Sequence, residues 1–171
     1  MNKLKKLILV NGAMGAGKTA TCCELLHRLQ PGVFLDGDWC WKMEPFCVTE
    51  ETKKLVMDNI CYMLNNFLTC TAYENIIFCW VMHEEHIIDE IVSRLQIKEI
   101  ELYKFTLVLS EDSLREHLMK DIKKGARSLE IINKSVERLP LYTSMDTIKI
   151  DVSNITAVAA AKQIADLCMM V

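Results

Sequence analysis

The chain has 171 residues, of which 51% are hydrophobic, and its formal net charge is −3 at pH 7. This length and apolar content suffice for one hydrophobic core, so we expect a single domain over residues 1–171. The acidic balance argues against a nucleic-acid partner, and no stretch approaches the ~20 apolar residues that span a membrane. We therefore expect neither kind of partner.

The eight cysteines are spread along the chain without a C-x-x-C pair. Their spacing fits neither a disulfide framework nor a zinc site, so we expect reduced thiols. The basic N-terminus leads directly into a glycine-rich segment instead of a long apolar run, which argues against a secretory signal. Together these features predict a cytoplasmic protein.

The first predicted strand, residues 4–10, is followed by the string GAMGAGKT and then by an amphipathic helix over about 18–29. The string matches the phosphate-binding pattern G-x-x-x-x-G-K-[ST]. Its glycines let backbone amides point at the α- and β-phosphates, Lys18 reaches the β- and γ-phosphate oxygens, and Thr19 offers a hydroxyl to Mg²⁺. The predicted nucleotide-binding residues are Gly12, Ala13, Met14, Gly15, Ala16, Gly17, Lys18, Thr19 and Ala20. ATP with Mg²⁺ is the expected cofactor pair, and no base-specifying motif separates ATP from GTP.

The second predicted strand, residues 33–36, ends in the string DGDW. Ligands gather at the carboxyl ends of strands in open α/β sheets, so both carboxylates should lie beside the phosphate site. We expect Asp38 to bind the substrate and accept its hydroxyl proton, with Asp36 on the metal side. Trp39 is the predicted substrate contact, with Trp41 as the other candidate. The alternative is an ordinary Asp-Gly turn that Asp36 caps.

The rest of the chain alternates helices and strands, which predicts a parallel sheet covered on both faces. Helices are expected over about 49–67 and 87–95, and a further one from Ser110 to Gly125. Another is expected over about 128–139, ended by Pro140, and an Ala-rich helix closes the chain. Strands are expected over 75–81, 104–109 and 147–152.

The strand over 75–81 carries no acidic residue, and the first one after it is Glu84. This argues against a motor-type or switch-type ATPase and assigns the metal-side carboxylate to the second strand. The adjacent run HEEH has histidines three residues apart without a further ligand pair. It indicates the start of a helix with acidic first-turn residues better than a zinc site.

A group of cations precedes the last strand: Arg115, Lys120, Lys123, Lys124, Arg127 and, further on, Arg138. Phosphoryl transfer depends on charge stabilisation, so a segment that brings cations over the γ-phosphate suits this chemistry. We expect Arg127 to act in catalysis, with Gly125 as a hinge. The alternative for any one of these cations is a solvated helix face.

Five strands, a P-loop after the first and a helical excursion before the last resemble the nucleoside monophosphate kinase-like group. Within it the chain is similar to gluconate kinase, shikimate kinase and chloramphenicol phosphotransferase, and to an uncharacterised bacterial AAA-type P-loop kinase-like family. The resemblance implies a three-layer α/β/α P-loop NTPase fold with a five-stranded parallel sheet of order 2-3-1-4-5. It also implies a substrate-binding region at about 39–71, a lid at about 120–139, and an acid after strand two near the acceptor hydroxyl.

These features predict an ATP- and Mg²⁺-dependent phosphotransferase that acts on a hydroxyl or phosphate of a small metabolite or antibiotic. Lys18, Asp38 and Arg127 are its expected catalytic residues. Nothing in the sequence implies an obligate protein partner. Two alternatives stay open: a nucleotide-binding regulator with little catalysis, and a polynucleotide-end kinase or ATPase.

Overall fold

A computed structural model describes residues 4–96, 99–124 and 130–170 of the chain. In this part of the chain, strands and helices alternate as the sequence predicts. The strands are β1 (Lys5–Gly12), β2 (Gly32–Asp36), β3 (Asn75–Cys79), β4 (Ile100–Val108) and β5 (Ile148–Asp151). The helices are α1 (Lys18–Arg28), α2 (Glu50–Thr69), α3 (Glu85–Ser93), α4 (Glu111–Lys123), α5 (Glu130–Glu137), α6 (Leu139–Ser144) and α7 (Ala157–Met169), and a 3₁₀ helix spans Gly37–Trp41.

The five strands form one parallel sheet in the order β2-β3-β1-β4-β5, which confirms the predicted topology. All five residues of β3 are buried, as are seven of the eight in β1. These strands are almost continuously hydrophobic because helices cover both faces of the sheet. Since the strands are parallel, the carboxyl ends of β1, β2 and β3 meet at one edge.

Side-chain caps fix the starts of three long helices. Thr49 accepts a hydrogen bond from the Thr52 amide at the start of α2, and Ser110 does the same for Ser113 at the start of α4. Thr156 caps α7 in this way. Each hydroxyl satisfies an amide that has no partner within its helix. No helix in the described ranges is long and apolar enough to cross a membrane.

Several boundaries differ from the sequence prediction by a few residues, and two of these differences have a clear physical reason. Strand β4 begins at Ile100 instead of residue 104, because its first residues pair with β1 from Lys5 onward. Pro140 does not end a helical segment but lies in the first turn of α6. A proline is tolerated there because the first-turn amides have no partner within the helix.

Asn11 connects the strand ends at the carboxyl edge. This 1% exposed side chain donates from Nδ2 to the Met82 carbonyl at 2.7 Å and accepts from the Met82 amide at 2.8 Å. Its Nδ2 also lies 3.1 Å from the Met145 sulfur. The segment that follows β3 is therefore held to the end of β1, directly before the glycine-rich loop.

Replacing Asn11 with alanine should lower the free energy of unfolding by roughly 2–4 kcal/mol, because two buried backbone groups of Met82 lose their partner. Chemical denaturation measures this change. Asn66→Ala is the matched control, since Asn66 is exposed on α2. The control should change stability by less than about 0.5 kcal/mol. Equal effects of the two substitutions would contradict the role given to Asn11.

Candidate active site

The glycine-rich loop between β1 and α1 has the backbone that its sequence requires. Gly15 and Gly17 have φ angles of 87° and 84°, a region that favours glycine. A Cβ atom on Gly15 would lie 2.8 Å from Cδ2 of Leu118, so α4 packs directly on the loop. Residues with side chains at these two positions would strain the loop or displace α4.

Lys18 lies across this loop from the first position of α1. Its Nζ donates to the carbonyl oxygens of Gly12 and Ala13, both at 2.9 Å. The loop closes on itself through the Ala16 amide, which donates to the Ala13 carbonyl at 3.1 Å. The ammonium group is thus held at the concave side of the loop.

A chain of hydrogen bonds connects the loop to the end of β2. The Thr19 hydroxyl donates to Oδ2 of Asp36 at 2.5 Å, and Oδ1 of Asp36 accepts from the Asp38 amide at 3.0 Å. Asp36 is only 5% exposed, so both of its carboxylate oxygens are used inside the protein. The two interpretations of Asp36 are therefore compatible: it caps the segment that follows β2 and it also contacts Thr19.

Gly37 allows the two aspartates to occupy these positions. A Cβ atom on this glycine would lie 2.5 Å from Cγ of Trp80, whose ring packs against the start of the 3₁₀ helix. The glycine of the DGD string is therefore required by a tertiary contact between the ends of β2 and β3, and not by a positive φ angle. Any side chain at this position would move either Trp80 or the segment between the carboxylates.

The loop opens into a cleft of about 440 Å³, which we call the phosphate cleft. It is lined by six loop and α1 residues between Met14 and Ala20, by Asp36 and Asp38, and by α4. The structure thus brings together Lys18, Thr19 and both carboxylates. Two of the predicted lid cations, Lys120 and Lys124, also line this cleft. The predicted catalytic residue Arg127 and the predicted hinge Gly125 lie outside the described residues.

His117 is a site residue that the sequence reasoning missed. Its Nδ1 donates to the Gly15 carbonyl at 3.0 Å, and its ring lines both the phosphate cleft and a neighbouring cavity of about 240 Å³. This second cavity, the base cavity, is also lined by Val152, Ile155 and Ala160. His117 lies three residues after Leu114 and one before Leu118, which places it beside the buried face of α4. This position is the only local feature of the sequence that indicates a role for His117 in the site.

A third cavity of about 540 Å³, the acceptor cavity, lies beyond Asp38. Asp38 lines both this cavity and the phosphate cleft. Trp41 lines the acceptor cavity, whereas Trp39 is 56% exposed and packs edge-on against Phe34 with ring centroids 5.2 Å apart. Of the two candidate tryptophans, the structure brings Trp41 into the cavity with Asp38. The substrate contact predicted for Trp39 stays a prediction.

Two basic side chains, those of His83 and Arg138, line the acceptor cavity, and Arg138 also lines a small cavity beside Ala13 and Met14 of the glycine-rich loop. Arg138 is exposed and, among the residues that the structure describes, no carboxylate oxygen lies within 4.0 Å of its guanidinium. Burial lowers the pKa of His83, and the positive charge of Arg138 lowers it further. The Nδ1 atom of His83 is buried and has no hydrogen-bond partner in the described ranges. His83 is therefore neutral near pH 7.

The comparisons with known proteins agree with this architecture. Residues 8–139 match the AAA domain family, and the chain belongs to that family. No curated protein matches it by sequence. Many solved structures share its fold, and those described next are 15–17% identical to it.

Three of these structures come from bacteria. A gluconokinase from Sinorhizobium meliloti is 17% identical, with a TM-score of 0.65 over 98% of this chain and 97% of that one. A shikimate kinase from Acinetobacter baumannii is 17% identical, with a TM-score of 0.63 over 98% and 94%. The tunicamycin resistance protein of Deinococcus radiodurans is 15% identical, with a TM-score of 0.65 over 98% of both chains. The predicted resemblance to P-loop small-molecule kinases is thus confirmed at the level of the fold.

The lowered pKa of His83 predicts a pH-dependent stability. An unfolded histidine has a pKa near 6.5, so the unfolded chain takes up a proton first as the pH falls. The native state should therefore lose stability from about pH 6.5 downward. Between pH 7.5 and pH 5.5, the free energy of unfolding should fall less for His83→Gln than for the wild type. Chemical denaturation at each of the two pH values measures this difference.

His27→Gln is the matched control, because His27 is exposed on α1 and is not among the charged groups that shift the pKa of His83. It should leave the pH dependence of the wild type in place. If His27→Gln removes as much of the acid loss as His83→Gln, the burial of His83 is not its cause.

Proposed function

We propose that this protein is an ATP- and Mg²⁺-dependent phosphotransferase that transfers the γ-phosphate to a hydroxyl or phosphate of a small molecule. The observation that carries the proposal is the hydrogen-bond chain from Thr19 through Asp36 to Asp38. It connects the phosphate-binding loop to a carboxylate at the boundary between two cavities. A loop that only held a nucleotide would not require the acceptor cavity on the other side of Asp38.

The nucleotide part of the proposal uses the loop and the base cavity. The loop amides would hold the α- and β-phosphates, and Lys18 would exchange its bonds to loop carbonyls for bonds to β- and γ-phosphate oxygens. The apolar base cavity beside His117 has the position and size for a nucleobase. ATP is the proposed nucleotide.

The donor atoms beside the loop fit Mg²⁺. Thr19 and Asp36 supply oxygens, which this ion prefers, and Mg²⁺ sites commonly use one or two carboxylates together with substrate phosphates. The Thr19 hydroxyl donates its proton to Asp36, so its lone pairs remain for a metal. Asp36 would orient Thr19 and hold metal-bound water. When bound, Mg²⁺ would neutralise charge on the β- and γ-phosphates.

The acceptor part of the proposal depends on Asp38. An acceptor hydroxyl in the cavity beyond it would attack the γ-phosphorus, and Asp38 would take the hydroxyl proton. The new bond forms between the acceptor oxygen and the γ-phosphorus. The bond from that phosphorus to the bridging oxygen breaks, and ADP leaves with the bridging oxygen.

Cations around the two cavities would stabilise the charge that develops on the transferred group. Lys120 and Lys124 line the phosphate cleft, and Arg138 lines the acceptor cavity. The catalytic role of Arg127 and the substrate contact of Trp39 complete the proposal as predictions. We further propose a cytoplasmic protein that acts on a free small molecule, with neither a nucleic acid nor an obligate protein as partner.

Lys18→Ala should weaken ATP binding by ~10-fold or more, because a charge-assisted contact to the phosphates is lost. Isothermal titration calorimetry with MgATP measures the affinity. Lys162→Ala is the control, since Lys162 is exposed on α7 and pairs only with Asp166 in the described structure. Unchanged affinity and turnover in Lys18→Ala would contradict the assignment of the loop.

Asp38→Asn should lower the rate of transfer to a hydroxyl by ~100-fold or more and leave MgATP affinity unchanged, because only the proton acceptor is removed. The assay follows label from γ-labelled ATP to sugars, nucleosides, nucleotides and antibiotics. Asp89→Asn on the exposed side of α3 is the control. Full transfer by Asp38→Asn would exclude Asp38 as the base. ATP binding by the wild type without transfer to any acceptor would favour the alternative function, a nucleotide-binding regulator with little catalysis.

A further inference from the structure

We propose that the acceptor is an alcohol whose hydroxyl is carried on an apolar, ring-bearing body, and not a sugar acid or a phosphorylated metabolite. This inference rests on the proposed function and specifies its substrate class. It depends on the walls of the acceptor cavity and on the single carboxylate at its inner end.

Most of the residues around the acceptor cavity are apolar. Six of the nine have apolar or aromatic side chains: Met14, Trp41, Phe46, Val48, Trp80 and Val81. The polar members are one carboxylate, one imidazole and one guanidinium, from Asp38, His83 and Arg138. Apolar walls with a few polar groups are typical of sites that take a ligand with an apolar body.

The aromatic walls are held by the fold. Trp80 follows β3 directly and is seated on Gly37, where no Cβ atom could fit. Trp41 ends the 3₁₀ helix, and its ring lies 5.9 Å from that of Phe46 at an angle of 51°. Two half-buried indoles and one phenyl ring thus form a surface on which a flat ring could pack.

Two of the apolar wall residues are exposed. Phe46 is 66% exposed and Val48 is 52% exposed, although both line this cavity. A ligand with an apolar body would remove their side chains from water, which favours binding in proportion to the area buried. A highly hydroxylated ligand has less apolar surface, so it would gain less from these two side chains.

The polar groups are too few for a sugar acid or a phosphate ester. Such ligands carry several hydroxyl or phosphate oxygens, and each one left unpaired against an apolar wall costs free energy. His83 offers no second cation near pH 7, because burial and the charge of Arg138 keep it neutral. A ligand with one hydroxyl directed at Asp38 and an apolar body packed on Trp41 and Trp80 matches the lining of this cavity better than a sugar acid or a phosphate ester does.

Asp38 also sets the orientation of the acceptor. It lines both the phosphate cleft and the acceptor cavity, so the reacting hydroxyl must lie at this end. The body of the acceptor then extends toward Trp41 and Phe46, away from the loop. A cavity of about 540 Å³ has room for one or two rings.

The test compares two alcohols that differ only by a ring, 2-phenyl-1,3-propanediol and 1,3-propanediol, with gluconate and ribose 5-phosphate as polar acceptors. Dissociation constants are measured by calorimetry on the full chain, with and without a non-hydrolysable ATP analogue and Mg²⁺. The phenyl-bearing diol should bind ~10-fold or more tightly than 1,3-propanediol, and more tightly than either polar acceptor. Equal affinities, or a preference for gluconate or ribose 5-phosphate, would overturn the inference.

Two variants show whether the ring binds in this cavity. Phe46→Ser and Val48→Ser should each weaken binding of the phenyl-bearing diol severalfold and leave 1,3-propanediol unchanged. Both side chains are more than half exposed, so neither substitution removes part of the core. Tyr62→Ser is the control, because Tyr62 is 71% exposed on α2 and does not line this cavity. Equal effects of all three substitutions would contradict the proposed location.

Transfer from γ-labelled ATP, measured on the same acceptors, separates this inference from the proposed function. If the phenyl-bearing diol binds through Phe46 and Val48 but no acceptor is labelled, the kinase function fails and the ligand preference of the cavity stands. If gluconate or ribose 5-phosphate is labelled in preference to the ring-bearing diol, the kinase function stands and the substrate class is wrong.

Discussion

The hydrogen bond between the Thr19 hydroxyl and Asp36 is the constraint on which the rest of the site depends. In the sheet order, β3 separates β1 from β2, so the loop after β1 and the end of β2 are not neighbours. The N-terminal turn of α1 reaches across β3, and the 2.5 Å contact to Asp36 closes the gap. The other oxygen of the same carboxylate holds the Asp38 amide. One buried side chain therefore fixes the distance between the phosphate-binding loop and the proposed base.

The end of β3 contributes an apolar wall to the site instead of a carboxylate. It carries no acid, and the residue that follows it is Trp80, which packs on Gly37 and lines the acceptor cavity. Asn11 holds the next residues of this segment through Met82. The edge of the sheet is thus divided between polar chemistry at β2 and an apolar wall at β3. That division permits a charged phosphate cleft and an apolar acceptor cavity to share a boundary at Asp38.

Much of this arrangement could be predicted because its signals are local. The glycine-rich loop has a fixed spacing, the strands are short apolar runs, and the carboxylates of the DGD string follow a strand directly. The choice between Trp39 and Trp41 could not be made in this way. In a 3₁₀ helix, successive side chains are about 120° apart, so residues two positions apart point in different directions. Which of them faces the cavity depends on how the helix packs.

His117 and Arg138 illustrate the same limit over longer distances. His117 contacts the Gly15 carbonyl, which is 102 residues earlier in the chain. Arg138 reaches the acceptor cavity because α5 ends beside it, whereas its place in the sequence groups it with the lid cations, of which Lys120 and Lys124 line the phosphate cleft. Only the tertiary packing of α4 and α5 brings these side chains to the carboxyl edge of the sheet. Pro140 shows a related limit, because a proline is found both after the end of a helix and in the first turn of one, and here it lies in the first turn of α6.

The most direct test of this account is the fate of the γ-phosphate when no acceptor is chosen in advance. The protein is incubated with γ-labelled ATP, Mg²⁺ and a small-molecule extract of cells, and the labelled products are separated by chromatography. If Asp38 is the base of a phosphotransferase, the wild type should place label in an organic phosphate ester, and Asp38→Asn should lose that product. Label that appears only as inorganic phosphate, at equal rates with both proteins, would contradict it.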